Sequence, residues 1–92
     1  MILEWDEKKN RVNRIKHGLD FAILYDFVWE GALIVPDKRR AYGEPRLLAY
    51  GLLGDRLHVV VLTKRGDQIR IIGARKANAR ERRLFDENTT QA

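Results

Sequence analysis

The sequence contains no cysteine, only two prolines and one methionine. Without cysteine the chain forms neither disulfide bonds nor thiolate zinc sites. No apolar run approaches the roughly 20 residues of a membrane-spanning helix, and the start M-I-L-E-W-D lacks the basic residues and apolar segment of a signal peptide. The two histidines, His17 and His58, lie far apart and form no metal-binding motif. These features predict a cytoplasmic protein without membrane association, metal or cofactor.

Size and composition predict one small folded domain over residues 1–92. A hydrophobic fraction of 45% is enough for a core and argues against disorder. The chain carries a net charge of +5 and has a pI near 9.9. Such a balance favours nucleic acid or an acidic protein as the partner.

The positive charge is concentrated between Lys64 and Arg83. Eight basic and two acidic residues give this stretch a charge of about +6, whereas the rest of the chain holds ten basic and eleven acidic residues, or about −1. Clustered arginines on ordered structure are typical of proteins that bind polyanions.

Hydrophobic periodicity and turn residues predict an α+β domain with the order β-α-α-β-β-β-β-α. The predicted strands cover Ile2–Trp5, Ala32–Val35, Arg46–Leu53, Arg56–Thr63 and Gln68–Ala74. A polar loop, Pro36–Pro45, separates the second and third strands. Short turns at Gly54-Asp55 and Arg65-Gly66-Asp67 indicate antiparallel neighbours in a small antiparallel sheet.

The first predicted helix begins after Asp6, a good N-cap, and runs to about His17, where Gly18 ends it. It is mostly polar and leaves little but Val12 and Ile15 to bury.

The second and third predicted helices begin after Asp20 and Asn78. Helical spacing makes the second a core helix, with a stripe formed by Phe21, Leu24, Tyr25 and Val28. In the third, Glu81 completes a capping box with Asn78 and lies on the packing stripe of Ala77, Leu84 and Phe85.

Several local patterns occur in order along residues 4–85. They are E-W-D at 4–6, K-H-G at 16–18, G-E-P-R at 43–46, Gly51 between two strands, I-R-I-I-G-A-R-K-A at 69–77 and E-R at 81–82. This set resembles the BrnT family of type II toxin–antitoxin ribonucleases, toxins with a RelE-like fold. The sequence departs from the family at Gly73, where Ser is frequent, and at Phe85, where Tyr is frequent.

The resemblance implies a toxin that cleaves RNA without a metal ion and inhibits translation. It also implies a BrnA-type antitoxin that neutralises it, in a heterotetramer with an antitoxin dimer, and contact with operator DNA only through that antitoxin. The residues alone leave two alternatives open: a non-catalytic basic nucleic-acid-binding module, and an interaction protein whose basic face docks on an acidic partner.

Metal-independent RNA cleavage needs a base for the 2′-OH, cations that stabilise the charge on phosphorus, and an acid for the leaving 5′ oxygen. Arg46 opens a strand beside the loop that carries Glu44, and a guanidinium suits a phosphate. Arg75 ends the last strand beside a helix N-terminus, a natural phosphate site. Arg70 alternates with two isoleucines and therefore points to the opposite face of its strand. The structural alternatives are a salt bridge with Glu44 or Asp37 for Arg46, a solvated basic turn for Arg75, and pairing with Glu81 or another acid for Arg70.

His17 and Glu44 are the candidates for proton transfer. Histidine titrates near neutral pH, and the C-terminal end of a helix is expected to raise its pKa, which suits an acid. Glu44 is the candidate base by position. The alternatives are a histidine that caps its helix and a glutamate that orients Arg46, and which group among His17, Lys16 and Glu44 is base or acid stays open.

The candidate RNA-binding residues are Lys16, Lys76, Arg80 and Tyr42, the last by stacking on a base. Glu81 is predicted either to orient an arginine, Arg70 or Arg75, or only to cap its helix. Among the remaining residues, His58 is expected on a strand surface, Trp5 and Trp29 in the core, and Lys38-Arg39-Arg40 in a solvated loop that adds nonspecific RNA affinity.

Overall fold

The computed structural model describes residues 1–39 and 41–89 of the chain, so Arg40 of the predicted basic loop lies outside the described residues. The described strands are β1 (Ile2–Trp5), β2 (Leu33–Pro36), β3 (Leu47–Leu53), β4 (Arg56–Arg65) and β5 (Gln68–Lys76). Two α-helices, α1 (Glu7–His17) and α2 (Ala79–Thr89), and one 3₁₀ helix (Phe21–Asp26) accompany them. The predicted α+β class and element order are confirmed.

The strands form one sheet in the order β1-β5-β4-β3-β2. β3, β4 and β5 are antiparallel neighbours joined by the two predicted turns, and β2 adds to β3 antiparallel. β1 differs from the expectation because it pairs with β5 in parallel. No local turn sets the direction of β1, since most of the chain separates it from β5 in sequence.

The second predicted α-helix is a 3₁₀ helix, and this changes which of its residues are buried. Phe21, Leu24 and Phe27 are buried in the main core, whereas Tyr25 and Val28 are exposed. A 3₁₀ helix has three residues per turn, so residues three apart lie on one face. The predicted stripe is therefore right for Phe21 and Leu24 and wrong for Tyr25 and Val28.

Helix α1 is attached to the domain by two buried asparagines rather than by its apolar residues, contrary to the prediction. Asn10 Oδ1 accepts the backbone N–H of Phe21 at 2.9 Å. Asn13 Oδ1 accepts the backbone N–H of Ala74 at 3.0 Å, beyond the end of β1 where that side of β5 lacks a neighbouring strand. Val12 and Ile15 instead stay exposed. Because each asparagine satisfies a backbone donor, a polar helix can close the edge of the sheet.

The helix ends follow the predicted caps. Asp6 accepts from the N–H of Lys8, and Asp20 from that of Ala22. Gly18 takes a left-handed conformation (φ 72°), and its N–H donates to the carbonyl of Arg14. The ends of α1 and the start of the 3₁₀ helix are thus set by local sequence.

The predictions for His58 and the two tryptophans have different outcomes. His58 is buried, with Nδ1 2.9 Å from the carbonyl oxygen of Arg56, so the expectation of a strand-surface histidine is wrong. Trp5 and Trp29 both pack against the main core, which confirms their predicted position.

Helix α2 covers only part of the face of the sheet that lies opposite the main core. It packs on β2 and β3, and Phe85 contacts a small cluster around Tyr50, Val59 and Ala77. Leu84, predicted on the same stripe, stays partly exposed. None of the helices in the described ranges is long and apolar enough to cross a membrane.

Replacing Gly51 by alanine is expected to destabilise the protein, because a Cβ there would lie 2.6 Å from Cζ of Phe27. Overpacking of this kind costs about 1–3 kcal/mol. The control is Gly31→Ala, whose Cβ would lie at an ordinary 3.8 Å from Val28 Cγ1. Urea unfolding measures both variants. Equal stability of Gly51→Ala and the wild type would show that the Phe27 ring moves aside at no cost.

Candidate active site

The partly uncovered face of the sheet contains an irregularity at Ile72. The pairing of β4 with β5 shifts between Val61 and Leu62, so that Ile72 is an extra residue between Ile71 and Gly73. Bulges of this kind redirect side chains and are frequent beside active sites. Here Ile72 lies between two concave surfaces, one shared with α1 and one with the loop before β3.

Three concave surfaces adjoin one another and together form a basic groove. The first lies along α1, the second lies over Val61 and Gly73, and the third lies between α2 and the sheet. Ile72 lines the first two, and Arg39 lines the second and third. The basic residues that line them are Lys8, Lys9, Lys16, His17, Arg39, Arg46, Arg75, Arg80 and Arg83.

Arg75 and Glu81 form the best-defined ion pair in this groove. The two terminal nitrogens of Arg75 donate to the two carboxylate oxygens of Glu81 at 2.8 and 2.7 Å. The same carboxylate accepts the N–H of Asn78 at 2.9 Å, while Asn78 Oδ1 accepts the N–H of Glu81 at 2.8 Å, which confirms the predicted capping box. The hydrogen bond from Arg75 lowers the pKa of Glu81 despite partial burial, so this carboxylate is ionised at neutral pH. Glu81 therefore fixes Arg75 to the first turn of α2, as one of its two predicted roles requires.

The geometry of this pair leaves part of the Arg75 guanidinium for a ligand. Of its five N–H donors, two bind Glu81 and a third points from Nη1 to the carbonyl oxygen of Lys76 at 3.3 Å. The two donors outside these contacts, on Nε and Nη2, lie on one side and form a parallel fork. Such a fork matches two oxygens of a phosphate.

Arg46 lies in the second concave surface and stacks on Tyr42. Its Cζ is 3.9 Å from the centre of the Tyr42 ring. Its Nε is buried without a hydrogen-bond partner, since the nearest Glu44 oxygen is 3.9 Å away, too far for a hydrogen bond. Arg46 therefore stacks on an aromatic ring, and its ion pair with Glu44 includes no hydrogen bond.

The loop that carries Tyr42 and Arg46 is organised by Asp37, which binds Arg39 and not Arg46, its predicted alternative partner. Asp37 accepts from Nε and Nη2 of Arg39 at 2.8 and 2.7 Å and from the hydroxyl of Tyr42 at 3.1 Å. These bonds hold the pKa of Asp37 far below its ordinary value, with the Arg39 bond as the main cause. Arg39 is thus a structural ion-pair partner as well as an exposed basic residue. Of the predicted solvated loop Lys38-Arg39-Arg40, Lys38 is exposed as expected. The signal that points to this arrangement is the D-x-R spacing at the start of the loop.

His17 and Lys16 line the surface along α1 together with Ile72. The pKa of His17 is lowered from its ordinary value, first by partial burial and then by the positive charges of Lys16 and Arg75. The expectation of a raised pKa is therefore wrong, because two nearby cations and burial outweigh the helix C-terminus. At neutral pH the imidazole is mostly neutral, which suits a base better than an acid.

Two of the predicted residues are engaged elsewhere on the face. Arg70 approaches Glu4 of β1 at 3.6 Å, and Glu44 approaches Arg65 at 3.7 Å. Both are partly exposed ion pairs of a type that contributes little to stability. Glu81, the acid predicted as a possible partner of Arg70, binds Arg75, and Arg70 pairs instead with Glu4.

Lys76 and Arg80 are both exposed, beside the β5–α2 junction. Arg80 lines the third surface with Arg39, Arg75 and Arg83, which surround a floor formed by Leu48 and Tyr50. Within residues 1–39 and 41–89, no three acidic or histidine side chains come together in a group that could hold a metal ion.

A small α+β domain with a basic groove on one face of its sheet defines a polyanion-binding class, and comparison with known proteins specifies it. The family described as the ribonuclease toxin BrnT of type II toxin–antitoxin systems matches residues 5–81. The crystal structure of the ribonuclease toxin BrnT from Brucella abortus is similar over 85% of this chain and 99% of that one, with a TM-score of 0.70 and 32% sequence identity. Comparison with curated proteins gives no significant match. The chain belongs to the family of BrnT ribonuclease toxins of type II toxin–antitoxin systems.

Proposed function

We propose that this protein is an endoribonuclease that cleaves RNA by attack of the 2′-OH on the adjacent phosphate, without a metal ion, and so inhibits translation. The observation that supports this most directly is the placement of Arg46 and Arg75 along one basic groove, where the terminal nitrogens of Arg46 and two donors of Arg75 lie outside the described hydrogen bonds. Two guanidinium groups can stabilise the extra negative charge that develops on the phosphorus oxygens in the transition state.

In the proposed reaction, neutral His17 takes the proton of the 2′-OH as its oxygen attacks phosphorus. The bond from phosphorus to the 5′ oxygen then breaks, and that oxygen leaves with a proton, for which we assign Lys16 because it lines the same surface as His17. The products are a 2′,3′-cyclic phosphate and a 5′-OH. Glu81 fixes Arg75, while Lys76, Arg80 and Tyr42 are placed to contact the rest of the RNA. Glu44 interacts with Arg65 and lies 3.9 Å from Nε of Arg46, whereas Arg70 interacts with Glu4 of β1, and we assign both to RNA positioning rather than to proton transfer.

Incubation with a long unstructured RNA in excess EDTA tests this proposal, with a DNA of the same sequence as control. Cleavage of the RNA alone is expected. Intact RNA that is nevertheless bound would favour the alternative of a non-catalytic binding module, whose affinity would fall steeply with salt.

The pH dependence of cleavage tests the role of His17. Its pKa is depressed in the folded protein, so protonation and loss of the base occur only below the ordinary value of 6.5. We expect kcat/KM to fall as the pH drops through that lowered pKa and to be level from about pH 7 to 8. His17→Ala should lower kcat/KM at pH 7 by about 100-fold or more and remove the acidic limb. A rate that instead falls as the pH rises from 6 to 8 would assign His17 as the acid. Circular dichroism over the same pH range is the control for unfolding.

Membership of a type II toxin family implies an antitoxin protein as partner. We propose that this antitoxin is BrnA-type, that an antitoxin dimer carries two toxins in a heterotetramer, and that operator DNA is reached only through the antitoxin. The charge of about +6 between Lys64 and Arg83, from eight basic and two acidic residues, makes an acidic surface on the antitoxin the expected complement. Co-expression and mass measurement of the intact complex test the stoichiometry.

A further inference from the structure

The loop between β2 and β3 is built around a buried carboxylate. The Asp37 side chain is fully buried, although its partner Arg39 is mostly exposed. Its two oxygens accept from the Arg39 side chain, from the N–H of Arg39 at 3.2 Å and from the hydroxyl of Tyr42. A buried carboxylate is costly unless it is paired and hydrogen-bonded, so this bonding ties Arg39 and the Tyr42 side chain to Asp37.

The bonding of Asp37 extends to Arg46 by two routes. The backbone N–H of Asp37 donates to the carbonyl of Arg46 at 2.8 Å. The hydroxyl of Tyr42 is held by Asp37, and the face of the same tyrosine ring lies under the Arg46 guanidinium. Asp37 therefore touches the two groups that determine where the Arg46 side chain can lie.

The orientation of Arg46 depends on this ring because no carboxylate fixes it. Glu44, the nearest acid, is at 3.9 Å, and Arg46 Nε has no hydrogen-bond partner. An unrestrained arginine loses rotamer entropy when a ligand immobilises it. A guanidinium that is already stacked on a fixed ring needs less ordering when phosphate arrives.

We propose that Asp37 is a positioning residue for RNA cleavage, which holds the Tyr42 ring and through it presents the Arg46 guanidinium to the phosphate. The inference rests on the proposed role of Arg46 in cleavage. It gives Tyr42 a second task beside the RNA contact proposed above, because one face of its ring packs against Arg46.

A double-mutant cycle distinguishes this role from a general contribution to stability. Asp37→Asn should lower kcat/KM about tenfold in the otherwise unchanged protein and less than twofold when Arg46 is already alanine, because groups that act through one another are not additive. Asp55→Asn, in the exposed β3–β4 turn, makes the same chemical change and should stay within twofold of the wild type. Equal tenfold losses with and without Arg46 would overturn the proposal.

A second variant and a spectroscopic readout apply if Asp37→Asn folds poorly. Tyr42→Phe keeps the ring and removes only the hydroxyl, and we expect about a threefold loss, in line with the ~0.5–1.5 kcal/mol of one hydrogen bond. The Nε–Hε resonance of Arg46, in protein labelled with ¹⁵N-arginine, should be shifted by the ring in the wild type and should move toward the free-arginine position in both variants. An unmoved resonance would overturn the proposal. If Arg46→Ala cleaves as fast as the wild type while the resonance still depends on Asp37, the proposed role of Arg46 is wrong and its positioning by Asp37 stands.

Discussion

Arg75→Ala is expected to reduce RNA cleavage by about 100- to 1,000-fold, the range found when one donor that stabilises transition-state charge is removed. The Arg75 side chain lines the groove that we assign to the phosphate, and two of its donors lie outside its contacts with Glu81 and Lys76. The loss should appear mainly in kcat, because the extra charge on the phosphate exists only in the transition state. Single-turnover cleavage of a defined RNA measures it.

The matched control is Arg82→Ala, which removes the same charge from an exposed position on α2. It should stay within a few-fold of the wild type and weaken binding only through the nonspecific charge term. Arg75→Lys separates charge from geometry, since a lysine cannot form the bidentate contact with Glu81 and should recover only a small part of the rate. Cleavage by Arg75→Ala within tenfold of the wild type, with the fold intact, would remove Arg75 from the site.

The largest effect on stability is expected for Leu24→Ala, at about 2–5 kcal/mol. The Leu24 side chain is fully buried between the 3₁₀ helix and the sheet, so truncation leaves a cavity in the main core. Domains of this size are stable by only about 5–15 kcal/mol, so a loss of this size is a large part of the total.

The adjacent Ile23→Ala is the control for Leu24→Ala. Isoleucine and leucine lose the same number of carbon atoms, but Ile23 is 41% exposed, and its truncation should cost less than half as much. Urea unfolding compares the two variants, with one common value for the dependence of the unfolding free energy on urea concentration. Equal losses would show that both side chains face the core, contrary to the 3₁₀ geometry.

The parts of the site that are local in sequence could be predicted. The capping box of Asn78 and Glu81 is a short-range pattern, and a strand that ends at Arg75 just before the helix brings the guanidinium within reach of Glu81. The same holds for the caps Asp6, Asp20 and Gly18, whose partners are at most four residues away.

The parts that depend on distant contacts could not be predicted. Asn13 binds Ala74, which is 61 positions away, and no local sequence pattern around either residue indicates the other as its partner. The depressed pKa of His17 comes first from burial and then from the charges of Lys16 and Arg75, and both the burial and the proximity of Arg75 arise only when α1 packs on β5. The 3₁₀ helix is a different case. A 3₁₀ helix repeats every three residues and an α-helix every three or four, and over only six residues both repeats place Phe21 and Leu24 on one face.

The central claim is 2′-OH-dependent cleavage without a metal ion, and the chemical identity of the product ends tests it most directly. We would incubate the antitoxin-free protein with a defined RNA in excess EDTA and determine the fragment masses. We expect 5′ fragments that end in a 2′,3′-cyclic phosphate, 3′ fragments that begin with a 5′-OH, and no cut at a nucleotide whose 2′-OH is replaced by hydrogen. Fragments with 5′-phosphates that form only after Mg²⁺ is restored would contradict it.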